Sequence, residues 1–247
     1  MLHGAVVKVE TCELRVGLER WPWAVANADA IALNWQLQQI RNPSYFNGGI
    51  QILTRYRIED GALKGTFAAT DFASFLHWRG ERYPDDSVRD CFGCAILRSA
   101  EGHLLLGRQA TGNLNADRAY CPGGFIDPVD VLDGVIDIDG SVTRELAEET
   151  GLDVSALKRT PGYLIIAADA SIAIGIEYLS ELFSERLRAQ ITRHIERQAT
   201  PELAGVVIVR ETPDVRTLKT TGYVTPLVEY LFGREYPSGD SPNISPP

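Results

Sequence analysis

The chain has 247 residues, 45% hydrophobic and 23% charged, enough to bury one large core or two small ones without disulfide or metal staples. No apolar run approaches the ~20 residues needed to cross a bilayer, and Met1-Leu2-His3-Gly4-Ala5-Val6-Val7-Lys8 lacks the basic start and long apolar segment of a secretory signal, so a cytoplasmic protein without a membrane anchor is expected. A formal net charge of −9 opposes general attraction to nucleic-acid backbones and anionic lipid, so a phosphate-bearing ligand must be met by local Arg and Lys or by a metal ion.

Residues 5–17 read as β structure, and 23–41 carry helix-forming Ala, Leu and Gln with Trp35 and Leu37 as anchors. An Asn47-Gly48-Gly49 turn follows. Residues 51–58 and 62–69 flank Glu59-Asp60-Gly61 and read as a hairpin, after which Thr70-Asp71 caps a short helix through Trp78. These elements make a small α/β module over 1–80. Residues 80–90 are charged, contain Pro84-Asp85-Asp86 and lack apolar periodicity, which marks an internal boundary.

Beyond it, 91–97 and 104–109 read as strands around Ala100-Glu101-Gly102. Further strands are expected near 162–168, 173–182 and 205–211, with helices at 184–198 and 224–233. Strand runs with interspersed helices indicate an α+β fold rather than a regular wound βαβ sheet. The Pro- and Ser-rich residues 236–247 read as a mobile tail. Cysteines stand at 12, 91, 94 and 121. The CxxC at Cys91 and Cys94 has no second Cys or His pair to complete a zinc site, and on a strand a spacing of three sends the two thiols to opposite faces. Buried free thiols are expected.

The most informative segment is Arg144-Glu145-Leu146-Ala147-Glu148-Glu149-Thr150-Gly151. At roughly 100° per residue, Glu145, Glu148 and Glu149 fall within a helical arc of about 100°. Glu145 and Glu149 are like charges at i,i+4, a repulsion that a divalent cation between them would relieve. Oxygen donors of this kind suit Mg²⁺ or Mn²⁺. Arg144 precedes Glu148 by four residues and can pair with it, fixing one carboxylate and leaving the others free. Leu146 points away from the arc and anchors the helix to a sheet, and Gly151-Leu152 fits a left-handed stop with a hydrophobic clasp. Such an acidic string alone would suit a solvated surface helix. Upstream, however, Pro122-Gly123-Gly124 supplies a loop with two positions lacking Cβ, where backbone can approach a metal or phosphate.

Together the glycine loop and the acidic helix resemble the Nudix hydrolase box: Gly, five residues, an acid, seven residues, then Arg-Glu-aliphatic-x-Glu-Glu-x-Gly-aliphatic. Residues 144–152 match its second half without exception. In the first half, Asp130 stands in place of Glu after Gly124, and thirteen residues rather than seven separate Asp130 from Arg144, an insertion of six. The inserted stretch, centred on 132–140, fails as a calcium loop. With Gly140 at the sixth position, Val135 and Leu146 fall where Asp and Glu are required. Its Asp133, Asp137 and Asp139 read instead as a solvated loop that caps the helix start.

The resemblance implies a Nudix α/β/α sandwich with a mixed sheet over 81–235, preceded by the 1–80 module in a substrate or oligomerisation role. It implies a pyrophosphohydrolase that uses Mg²⁺ or Mn²⁺ on the diphosphate linkage of a nucleoside diphosphate-X compound. By the same resemblance Glu145, Glu148 and Glu149 are metal ligands, Gly124 offers a backbone carbonyl, Arg144 orients a glutamate, and Asp127 or Asp130 stands behind them. Glu177, then Glu181, is the candidate general base, and Arg108, ahead of Arg118, the candidate contact to substrate phosphate. Trp35, Tyr45-Phe46-Asn47-Gly48, Gly65-Thr66 and Thr70-Asp71-Phe72 are loosely similar to the N-terminal region of the Nudix UDP-glucose pyrophosphatase subfamily. That similarity implies cleavage of a UDP-sugar to UMP and a sugar 1-phosphate. ADP-ribose and dinucleotides remain open, as does a non-catalytic Nudix-fold nucleotide sensor. Tyr45, Phe46 and Asn47 either contact a base, with Asn47 hydrogen bonding, or anchor a core turn. The expected partner is a small nucleotide-derived molecule, neither nucleic acid nor membrane, and a homodimer is compatible with the sequence.

Overall fold

The first two strands part company at once. In a computed structural model that describes residues 4–233, β1 (Val6–Val9) and β2 (Thr11–Val16) join different sheets. The tail expected at 236–247 lies outside the described residues. Residues 23–41, expected as one helix, form α1 (Pro22–Ala26) and α2 (Ala28–Arg41). The break falls at Asn27 (φ −108°, ψ 18°), whose amide donates to the Trp23 carbonyl at 2.8 Å. Ile31 is the residue α2 buries. Trp35 meets Phe72 edge-on at 6.3 Å, whereas Leu37, expected as an anchor, is 47% exposed.

The expected hairpin is β3 (Gly49–Glu59) and β4 (Ala62–Asp71), turning through Asp60 and Gly61, both at positive φ (49° and 72°). Two successive left-handed residues match the right-handed twist of the strands they join. Asp71 then caps α3 (Phe72–Gly80), accepting from Ser74 N at 2.8 Å. The stretch before residue 90, expected as a boundary, is packed: Trp21 Nε1 donates to Asp85 Oδ2 at 2.8 Å and Trp78 Nε1 to the Asp85 carbonyl at 3.0 Å.

There follow β5 (Asp90–Arg98), β6 (Leu104–Gln109), β7 (Ala119–Tyr120), β8 (Gly123–Phe125), β9 (Val131–Leu132), β10 (Val135–Ile136) and α4 (Ile138–Thr150). The remainder comprises β11 (Lys158–Arg159), β12 (Tyr163–Ala168), β13 (Ser171–Leu179), α5 (Ser184–Ile195), β14 (Leu203–Val209), α6 (Thr212–Val215) and α7 (Val224–Phe232). The large sheet has the order β1-β12-β13-β5-β6-β14, with β8 attached to β5, β7 to β6 and β11 to β13. β13 and β5 run parallel and the other pairs antiparallel. Cys94 to Leu97 and Ile172 to Ile176 are buried without alternation, which requires cover on both faces of the sheet. α4 packs on β5 and β8, and α5 on β14. The fold is α+β, as the sequence leads one to expect, and it has two mixed sheets.

The second sheet runs β3-β4-β2-β10-β9, with β2 parallel to β4. Its last two strands are the box insertion. The insertion is solvated as expected, with Asp133 and Asp137 exposed, but it is a hairpin rather than a loop, turning at Asp133 and Gly134 (φ 49° and 77°) and docking on β2 with Val135 opposite Arg15. Its expected capping role is present: Asp137 accepts from Gly140 N at 2.9 Å at the start of α4. β1 meanwhile pairs with β12, Val7 opposite Ile165, so each sheet holds a strand from the other's half of the sequence. The four cysteines are free thiols, Cys91 near Cys12 and Cys94 hydrogen-bonded to Cys121. Among the described residues no helix is long and apolar enough to cross a membrane.

Candidate active site

α4 is held by its apolar side. Val142 and Leu146 are fully buried, worth about 1.5–3 kcal/mol each for side chains of this size, and Gly93 of β5 gives them room, since a Cβ there would run into Val142 and Ile138. Gly151 ends the helix in the left-handed region (φ 66°) with Leu152 buried beyond it, the stop expected from sequence. The acidic face therefore turns toward β8.

Glu149 is 3% exposed, accepts from the Tyr120 hydroxyl and from Gly123 N (3.1 Å), and its pKa is pushed well up by burial. Glu145 stands against Gly124, where a Cβ would lie 2.8 Å from its carboxyl carbon. Burial, helped by Glu202 and Glu148 and opposed by Arg144, raises Glu145 to about 7. Glu148 is the outermost of the three, its side chain 62% exposed. Gly123 is required as a glycine here: it pairs with Cys94 across β5, and a Cβ on it would strike the backbone of Cys94 and Gly93, whereas a Cβ on Gly124 would meet the end of the Glu145 side chain.

Arg144 gathers four carboxylates. It donates to Glu145 at 2.7 Å, to both oxygens of Asp130 at 3.2 Å and to Glu148 at 3.4 Å, with Asp127 at 3.7 Å. Burial works against its charge, but Glu145 and Asp130 outweigh it and its pKa rises. The expected pairing with Glu148 is present but is the longest of these hydrogen bonds, and the closest partner is Glu145. Asp130, 5% exposed, reaches the site through Arg144.

One glutamate here has no counterpart in the sequence reading. Glu202, just before β14, lines the same cleft as Glu145 and Glu149, and burial together with Glu148 raises its pKa against the pull of Arg144. Its backbone carbonyl accepts from Ala110 N and Asn113 Nδ2. Nothing about Ala199-Thr200-Pro201-Glu202 marks it in sequence. Glu177 is elsewhere: Arg98 donates to its Oε1 at 3.5 Å and Thr160 to its Oε2 at 3.2 Å, and it does not line the cleft.

The cleft has a volume of about 560 Å³. Glu145, Glu149 and Glu202 line it, with Tyr45, Phe72, Phe92 and Phe125 among its aromatic walls, the first two coming from residues 1–80. Of the basic residues, Arg79 and Arg118 line it and Arg108 does not; Arg108 is half-exposed, 4.0 Å from Asp117. Asn47 is spent on the fold, its Oδ1 accepting from Ala73 N at 2.7 Å at the start of α3.

Among the described residues no three His, Cys, Asp or Glu side chains are grouped so as to hold a metal ion. The donor chemistry nonetheless fits a hard divalent cation. Glu145, Glu148, Glu149 and Glu202 supply oxygen donors, and three of the four have pKa values raised by burial and mutual repulsion, charge that a dication would offset.

No protein-family profile matches the chain, and no curated protein matches it. Solved structures do. A MutT protein from Methanosarcina mazei Go1 is 18% identical, covering 58% of this chain and 92% of its own, with a TM-score of 0.36. A Nudix hydrolase from M. smegmatis, RenU, is 13% identical over 58% of this chain and 84% of its own, with a TM-score of 0.38. NrtR from Shewanella oneidensis, solved with a 27mer DNA, is 17% identical over 58% of this chain and 60% of its own, with a TM-score of 0.39.

Proposed function

We propose that the chain is a Nudix-type pyrophosphohydrolase that hydrolyses the diphosphate linkage of a nucleoside diphosphate-X compound with Mg²⁺ or Mn²⁺, X being a sugar as in UDP-glucose. The observation that carries the reading is the meeting of Glu145, Glu149 and Glu202 beside Gly123-Gly124 in one cleft with aromatic and basic walls. Glu145, Glu148 and Glu149, with the Gly124 carbonyl, are the residues to hold metal. When bound, a divalent cation neutralises charge on the non-bridging phosphate oxygens and makes water more acidic.

The protein's own groups account for the rest. Tyr120 and Gly123 fix the rotamer of Glu149. Arg144, donating to Glu145, Glu148 and Asp130, balances the charge of the carboxylates that would hold the metal and ties α4 to the segment before the inserted hairpin. Glu202 is the candidate general base: it takes a proton from water as the water oxygen bonds to phosphorus and the bridging oxygen leaves with the other phosphate. Burial and the neighbouring Glu148 raise its pKa, which makes it a better proton acceptor than an exposed carboxylate. Tyr45, Phe72 and Phe125 supply surfaces for the nucleoside, and Arg79 and Arg118 supply positive charge. A small-molecule ligand suits this cleft, and the net charge of −9 argues against nucleic acid or membrane as the partner.

A second reading, a nucleotide-binding sensor without turnover, is favoured by the engagement of Glu145 and Glu148 by Arg144. Both are tested by incubating the protein with UDP-glucose, ADP-ribose, NADH and nucleoside triphosphates, with Mg²⁺ or Mn²⁺ and with chelator. Chelator-sensitive release of a nucleoside monophosphate establishes the hydrolase. A rise in thermal stability with a nucleotide but no product establishes the sensor.

A further inference from the structure

The cleft extends well beyond the glutamates. Gly93 pairs with Gly124, and Asp90 lies three residues earlier on the same strand, about 10 Å along it at the usual rise per residue. Asp90 lines the cleft there, with Ser171, Asp169, Arg79, Tyr83 and Asn115. Ser171, its partner across the parallel β5–β13 pair, donates to Asp90 Oδ2 at 3.3 Å, and the Asp90 backbone N–H is taken by the Ala170 carbonyl at 2.9 Å. The carboxylate is therefore oriented and deep, yet remains in the cleft wall. Burial raises its pKa to about 6, with Arg79 and Ser171 pulling the other way.

The surroundings are built for hydrogen bonding. Arg79 donates to Asn115 Oδ1 at 2.9 Å, which turns the Asn115 amide. Arg82 and Tyr83 both sit at φ 62°, a left-handed conformation that costs a non-glycine residue about 1–2 kcal/mol. That conformation stacks the Tyr83 ring edge-on against Trp78 at 4.7 Å and leaves it on the cleft wall.

We propose that Asp90, set by Ser171 and flanked by Arg79 and Asn115, is the receptor for a vicinal diol on the sugar of a nucleoside diphosphate-sugar, and so the residue that selects the X group. The inference rests on the diphosphate-hydrolase reading above. An ionised carboxylate is an acceptor only, with two oxygens that suit two adjacent O–H donors, while guanidinium and amide N–H groups serve the acceptor side of the same hydroxyls. Phosphate oxygens and the uracil carbonyls are acceptors, and Asp90 repels them. The phosphates thus lie toward Glu145 and Glu149, the polyol toward Asp90, and the offset along β5 leaves room for a diphosphate between.

The test is calorimetric binding to the full-length protein in chelator, where no turnover occurs, using UDP-glucose against UDP and ADP-ribose against ADP. Asp90→Ala is expected to weaken the sugar-bearing ligand of the preferred pair about tenfold to a hundredfold, the usual range for hydrogen bonds to a charged group, while UDP and ADP change by less than about twofold. Asp90→Asn, nearly isosteric and retaining one acceptor, is expected to lose less, and it keeps the test valid if the alanine variant misfolds. With Mg²⁺, the loss falls on KM. Unchanged affinity for the sugar-bearing ligand in both folded variants overturns the assignment, as does an equal loss for UDP and UDP-glucose. Wild-type protein that neither binds nor cleaves any of these compounds refutes the hydrolase reading and this subsite with it, whereas wild-type cleavage with unaltered Asp90 variants sinks the subsite alone.

Discussion

Asp130 and Arg144 face each other across the box insertion, one guanidinium nitrogen donating to both carboxylate oxygens at 3.2 Å. Asp130 is nearly buried and Arg144 also holds Glu145, so this contact ties the inserted hairpin to the face of α4. Asp130→Asn is expected to lower stability by about 1.5–3 kcal/mol, the range for a hydrogen bond to a charged group. It is also expected to weaken Mn²⁺ binding roughly tenfold or more, as loss of an outer-sphere partner does. Denaturant unfolding and a Mn²⁺ titration measure the two effects separately; unaltered Mn²⁺ affinity would remove Asp130 from the site.

Glu145 sets a pH dependence for the metal-free protein. Its folded-state value is raised from 4.5 to about 7, so between those values the native state binds more protons than the unfolded chain. Stability from this group is full below about pH 4.5 and is lost as pH rises to about 7, by up to about 3 kcal/mol. Urea midpoints in chelator should show that fall, and Glu145→Gln should make it shallower, leaving the part that Glu149 and Glu202 contribute with the same sign.

Glu202 and Glu177 make opposite predictions. Glu202→Gln is expected to reduce kcat by about 10²–10⁴, the range for loss of a general base, without loss of fold, because the hydrogen bonds recorded at this residue use its backbone carbonyl. Glu177→Gln disturbs only the contacts to Arg98 and Thr160, and kcat should stay within about twofold on the same reasoning. Steady-state rates of the two variants decide which glutamate is the base.

Gly124→Ala tests the close approach of β8 to α4. The added Cβ would lie 2.8 Å from the Glu145 carboxyl carbon, forcing that side chain off its present position. Since a misplacement of about 1 Å can cost a hundredfold in rate, turnover should fall by about that factor while circular dichroism stays that of the wild type.

Much of this was open to reading in the sequence, and the exceptions have specific causes. The start and stop of α4, the β3–β4 hairpin and the Asp71 cap are local patterns, and local patterns are what periodicity and capping residues report. The inserted hairpin carried the same Asp-Gly signal as Asp60-Gly61, but its strands are two residues each, too short to show alternation. The split at Asn27 has no Gly or Pro to announce it. Glu202 is the opposite case. It reaches the glutamates of α4 because β14 pairs with β6, Val206 opposite Gly107, a long-range pairing that no nearby residue encodes. Asp90 lines the cleft for the same kind of reason, through the parallel register of β5 with β13.

The exchange of strands between the sheets has a consequence during synthesis. β1 leaves the ribosome well before its partner, since Val7 pairs with Ile165, 158 residues later, and the small sheet gains β9 and β10 only when residues 131–136 emerge. Neither sheet can be completed until those later segments are made. Nascent β1 and the bare edge of β2 spend that interval as unpaired strand edges, the condition in which chains associate with one another. Non-local pairing of this kind also folds slowly, so the yield of native protein in a cell should respond to chaperone supply and to translation rate more than the final contacts alone would suggest.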